Sequence, residues 1–159
     1  VYMIIDAEWD ERHNRKIERL IRNAKFHYKS SIESITFDQS RNLERNLILR
    51  LGECEFVEKN ENVLITGSTG VGKSYLATAL GYQACIQGYR VNYFNTSKLF
   101  SKLKMAKADG SYLKELAKIE RQDVIILDDF GLQALDSQNR ITLLEIIEDR
   151  NNKGSIIVT

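Results

Sequence analysis

Eight consecutive residues, Gly67, Ser68, Thr69, Gly70, Val71, Gly72, Lys73 and Ser74, combine three glycines, one ammonium and a closing hydroxyl. Those types answer to the chemistry of a phosphate chain. Glycines at 67, 70 and 72 let backbone N–H groups approach an anion where a Cβ would block them. Lys73 supplies a point charge for the β- and γ-phosphates, and the Ser74 hydroxyl is placed to coordinate Mg²⁺. The run fits G-x-x-x-x-G-K-[ST] without a mismatch, the P-loop that cradles a nucleoside triphosphate, with ATP the expected nucleotide. Tyr75 comes next, either beside the nucleotide or packed along the helix.

A second constellation completes the first. The apolar run at 124–127 delivers Asp128 and Asp129 at its end, as a buried strand would deliver carboxylates to its carboxyl edge. Asp128 is expected to hold Mg²⁺ together with Ser74, and Asp129 to orient or deprotonate the attacking water. Lys73, Asp128 and Asp129 therefore form the expected catalytic set. Many motor ATPases carry Glu where this chain has Asp129, so slow hydrolysis is expected.

Positioning these groups requires a particular order of elements. Residues 63–66 read as a buried strand, and 73–87 as a helix opening on the P-loop, with Gly88 as its stop. Strands are expected at 91–94, 124–127 and 155–159, and helices at 97–107 and at 137–150, the latter capped by Asp136. Strands alternating with helices imply an α/β fold, a parallel sheet covered on both faces, with nucleotide at the carboxyl ends of the strands. Residues 6–25 read as a helix, 29–45 as a linker, and 42–53 as a further short helix.

Composition bounds the rest. The chain has 159 residues, 43% hydrophobic and 28% charged, enough for one main domain with a short appendage. No apolar stretch has the length of a membrane span and the start does not resemble a signal peptide, so a cytoplasmic protein is expected. Cys54 and Cys85 are the only cysteines and lack partners at metal-ligand spacing, which makes them free thiols. The net charge of +1 gives no global pull on nucleic acid, so DNA contact has to come from local patches. Two are present. In the first helix Trp9, Ile17, Leu20, Ile21 and Ala24 share an arc of about 120°, with Arg12, Arg15, Lys16, Arg19 and Arg22 opposite. Lys98, Lys102, Lys104 and Lys107 follow the second strand. Each set reads either as a solvated face or as a contact for DNA phosphates, and the first also suits an acidic partner.

Three segments carry a family resemblance: NVLITGSTGVGKS at 62–74, VIILDDFGLQALD at 124–136 and LLEIIEDR at 143–150. They resemble the IstB-like helper ATPases of insertion-sequence transposition, relatives of DnaC-type helicase loaders, and the first helix is similar to the family's N-terminal part. Ala134 departs from the proline often found there. Membership implies an AAA+ P-loop fold, an ATPase that self-associates with ATP and assembles on duplex DNA, and a transposase of the same element as partner. A DnaC-like helicase loader is the alternative. The resemblance divides the chain into an N-terminal helical segment, 1–45, for partner or DNA contact, and a P-loop core, 46–159. It implies that the sensor residue, arginine finger and lid lie beyond Thr159, leaving this span slow or inactive in hydrolysis. Arg140 and Arg150 are then surface or interface residues, not fingers.

Overall fold

The computed structural model describes residues 2–35, 44–68, 72–132 and 134–159. The middle of the cradle, Thr69, Gly70 and Val71, and residues 36–43 of the expected linker lie outside the described residues.

A run of five buried residues, Val124–Asp128, forms the central strand β3. An apolar run without alternation needs cover on both faces, which parallel sheets provide. Strand β2 (Val91–Asn95) and strand β4 (Ser155–Val158) flank it, and strand β1 (Val63–Leu64) lies outside β4. The order is β1-β4-β3-β2, with every pairing parallel. Successive side chains of β3 point to opposite faces. Val124 and Ile126 enter one core with Leu76, Leu80 and Ala84, while Ile125 and Leu127 enter the other with Leu99, Leu103 and Ile146.

Helix α1 (Tyr2–Ala24), helix α2 (Arg45–Gly52), helix α3 (Glu55–Glu58) and helix α4 (Lys73–Ile86) precede or follow β1. Helices α5 (Thr96–Asp109) and α6 (Tyr112–Glu120) bridge β2 to β3, and helix α7 (Ser137–Arg150) bridges β3 to β4. Local chemistry sets these limits. The Asn95 and Asp136 side chains accept the backbone N–H of Lys98 and Asn139 at 3.2 and 2.7 Å, capping α5 and α7. Gly110, at φ 84°, closes α5.

Several sequence expectations need correction. The strand at 63–66 is short and half-exposed, Leu64 being 70% accessible, because β1 is an edge strand with no partner on its outer side among the described residues. Trp9 is 61% accessible and stacks on His13 at 4.9 Å. A helix of 23 residues runs about 35 Å, so only its second half, with Leu20 and Ala24, reaches the core. Within the expected linker, a 3-10 turn at Ile32–Ser34 buries Ile32. Helix α6 was not anticipated. It buries only Leu116 and Ile119 of its nine residues, a faint period.

Arg150, expected at the surface or at an interface, is 2% accessible within the chain itself. Its guanidinium donates to the carbonyls of Ile119, Gln122, Asp123 and Ser155 at 2.8 to 3.2 Å. The five-donor fork of arginine thus ties the end of α6, the entry to β3 and the start of β4 into one corner. A Cβ at Gly154 would collide with that guanidinium. Burial lowers the Arg150 pKa to about 10, partly offset by Asp123 and Glu120, so the group stays charged at neutral pH. Arg150→Ala is expected to lower the unfolding free energy by about 3 kcal/mol or more, since several buried carbonyls lose a charged donor. Urea denaturation followed by circular dichroism measures it, and a loss under about 1 kcal/mol would show the corner holds without the fork.

Candidate nucleotide-binding site

Lys73 and Ser74 open α4 immediately after Gly72, which sits at φ 90° in the left-handed region where a side chain would be strained. The Lys73 ammonium donates to the Gly67 carbonyl at 2.9 Å. The Ser74 hydroxyl donates to Asp128 Oδ1 at 2.6 Å. Two segments 54 residues apart in sequence therefore meet where the parallel sheet ends, as the alternating pattern of strands and helices requires.

Asp128 is the buried centre of the site, 3% accessible. Its Oδ1 also accepts the Thr159 hydroxyl at 2.5 Å and the Asp129 N–H at 3.0 Å. Its Oδ2 accepts the Tyr93 hydroxyl from β2, and its carbonyl accepts the Thr96 hydroxyl at 2.8 Å. Burial by itself would raise the Asp128 pKa, but hydrogen bonds from Ser74, Thr159, Tyr93 and the Asp129 N–H outweigh it and hold the carboxyl below its ordinary range. The same contact with Asp128, after burial, pushes the Tyr93 hydroxyl far upward, so it stays a protonated donor.

Asp129 differs from its neighbour. Its backbone turns at φ 56°, and its exposed carboxylate accepts the Asn95 amide at 3.0 Å. It borders a cleft of about 360 Å³ shared with Tyr28, Lys73, Ser74, Tyr75 and Thr159. Tyr75 both lines this cleft and packs, stacking on Tyr28 at 6.1 Å while its hydroxyl accepts the Ser31 N–H at 3.5 Å. An anionic carboxylate beside a hydroxyl, at the mouth of a helix that bears an ammonium, is an oxygen donor set suited to Mg²⁺.

Sequence reasoning did not single out Tyr93, Asn95 or Thr159 for the site. Their signal was polarity at strand ends: Asn95 pairs in register with Asp128, and Thr159 directly follows β4. The cationic sets are not gathered into one patch. Arg12, Lys16, Arg19 and Arg22 are exposed along α1, where Arg15 pairs with Glu11. Lys98 and Lys102 border one cleft and Lys104 another, while Lys107 turns to Thr142 and the Tyr112 ring.

A family model described as IstB-like ATP binding protein matches residues 1–159. The ATP-binding protein of insertion sequence IS1162 from Pseudomonas fluorescens is 40% identical over 99% of this chain and 68% of its own length. The chain belongs to the IstB-like ATP-binding family. A second insertion-sequence relative, y4pL of Sinorhizobium fredii, is 36% identical over 99% of the chain and 64% of its own length, so the IstB-like chain spans about two thirds of such relatives. Among solved structures, a DnaC helicase loader superposes with a TM-score of 0.73 at 29% identity, over 86% of this chain and 79% of that one. DnaA of Aquifex aeolicus, bound to AMPPCP, gives a TM-score of 0.73 at 20% identity, over 85% of this chain and 43% of that one, a likeness of fold. The fold is that of the AAA+ P-loop proteins. Among the described residues no helix is long and apolar enough to cross a membrane.

Because the Asp128 carboxyl is held low, it contributes stability above the ordinary carboxylate range, and that contribution is lost as pH falls through its lowered value. Asp128→Asn is expected to flatten the acid limb of the stability profile, checked by urea midpoints across acidic pH; an unchanged limb would mean that other carboxyls govern it.

Proposed function

We propose that this chain binds Mg²⁺ and ATP, hydrolyses the nucleotide slowly, and uses the bound state to self-associate on duplex DNA and assist the transposase of its element, in the cytoplasm. One observation carries the reading: the Ser74 hydroxyl and Asp128 carboxylate lie 2.6 Å apart beside Lys73. They bring one hydroxyl, one carboxylate and one ammonium to the opening of α4, where the helix dipole favours anions.

Roles follow from placement. Backbone N–H groups of residues 67–74 cradle the phosphates, and the Lys73 ammonium exchanges the Gly67 carbonyl for phosphate oxygen. When bound, Mg²⁺ neutralises charge developing on the β- and γ-phosphates. Ser74 and Asp128 would hold it, and Tyr93 and Thr159 keep the carboxylate oriented and anionic. Asp129, exposed on the same cleft, receives the proton of the attacking water. Tyr75 and Tyr28 form an aromatic wall beside these groups.

A role in loading a replicative helicase is the second reading, favoured by the DnaC likeness. The insertion-sequence names of the relatives support transposition. The arginines and lysines of α1 and α5 are the proposed DNA contacts, and residues 1–45 the proposed contact segment ahead of the core.

ATP-dependent sizing tests the assembly, with a larger species expected only when ATP and duplex DNA are both present. Size independent of both would reject it, and pull-downs with transposase and with helicase separate the two readings. Lys73→Ala is expected to weaken ATP binding roughly 10- to 150-fold, the loss of one charge-assisted contact of about 1.5–3 kcal/mol. Asp129→Asn should keep ATP affinity and lose turnover in a phosphate-release assay; retained turnover would remove Asp129 from proton transfer.

A further inference from the structure

Helix α1 ends on a left-handed residue. Lys25, the residue after it, takes φ 58°, the left-handed conformation that closes helices and that glycine adopts without strain. Glycine would take that conformation with less strain than lysine. Its side chain borders a cleft of about 240 Å³ over strand β2, together with His27, Asn92, Phe94, Lys98 and Lys102.

Three elements converge on this cleft: the end of α1, the edge strand β2 and the first turns of α5. β2 pairs only with β3 among the described residues, so its outer edge is left to the cleft. Lys102 pairs with Glu115 at 3.2 Å. Lys25 and Lys98 have no acidic partner among the described residues, and no carboxylate borders the cleft. Cations grouped around amide groups suit the phosphates of a nucleic-acid backbone. His27 supplies an exposed ring, lying against Tyr93 at 5.3 Å.

We infer that this cleft between α1 and α5 is a nucleic-acid backbone site, in which Lys25 and Lys98 bind DNA phosphates. The site is separate from the nucleotide cradle. It rests on the DNA-binding reading above and gives it a location where the end of α1 meets α5: Lys25 borders the cleft from one element, Lys98 and Lys102 from the other. A phosphate held there would lie over Tyr93 and Asn95, whose side chains reach Asp128 and Asp129.

Lys25→Gly makes the test direct, because glycine relieves the backbone strain while removing the charge. Its melting temperature is expected to hold or rise, and its affinity for an ATP analogue to stay unchanged, while duplex DNA binding weakens several-fold. The slope of log affinity against log salt should fall by about 1 for Lys25→Gly and by about 2 with Lys98→Ala added. Lys59→Ala, an exposed lysine that pairs with Glu55 and does not border this cleft, should leave the slope unchanged. If the unaltered chain binds DNA but the double variant keeps the same slope, the cleft is not the site and only this inference fails. If the unaltered chain binds no duplex DNA under ATP, the DNA-binding reading fails and the inference with it. Displacement of DNA by pyrophosphate at equal phosphate concentration would reassign the cleft to small anions and overturn the proposal.

Discussion

The site is organised around one buried negative charge. Removing the Asp128 carboxylate from water is unfavourable, and only the hydroxyls of Ser74, Thr159 and Tyr93 with the Asp129 N–H offset that. Each donor comes from a different part of the fold: the head of α4, the end of β4, the middle of β2 and the turn after β3. Forming the charge's shell therefore aligns the carboxyl ends of three strands with the P-loop helix. A shift of one strand in the ladder would leave an ion in the interior without its donors, so the same contacts that prepare the chemistry also specify the register.

The N-terminal helix is joined to this centre by three successive rings. Phe26 stacks on Tyr82 at 4.3 Å, His27 lies on Tyr93, and Tyr28 stacks on Tyr75. Gly81 makes the first contact possible, since a Cβ there would come within 2.7 Å of both Phe26 and Ile126. The rings span α4 and β2, two of the elements that also carry donors to Asp128. What happens along α1 and what happens at the carboxylate are thus separated by a single layer of side chains.

Much of this was legible in the sequence, for definite reasons. The central strand was recognisable because burial on both faces demands an uninterrupted apolar run, as at 124–127, and α7 because Asp136 advertises its cap. The meeting of Ser74 with Asp128 could be anticipated from side-chain type and spacing alone. What escaped was long-range. Tyr93 and Thr159 are ordinary strand residues until β2 and β4 are laid beside β3. Arg150 reads as a solvated cation at a helix end, and only the convergence of four carbonyls makes it an interior residue. Trp9 followed the periodicity of its helix, but periodicity carries no information about where the partner surface stops.

The turn at Asp129 has a broader consequence. Strand alternation already separates neighbours to opposite faces, and the left-handed backbone at φ 56° adds a sharp bend between two acids adjacent in sequence. One carboxylate is delivered inward to a dry, crowded seat and the next outward to a wet one. Identical functional groups thereby acquire different partners and different exposure with no intervening residue. Such a junction is intolerant of length change: one amino acid inserted ahead of Asp128 would move both acids a step along the strand and turn the inner one away from its donors.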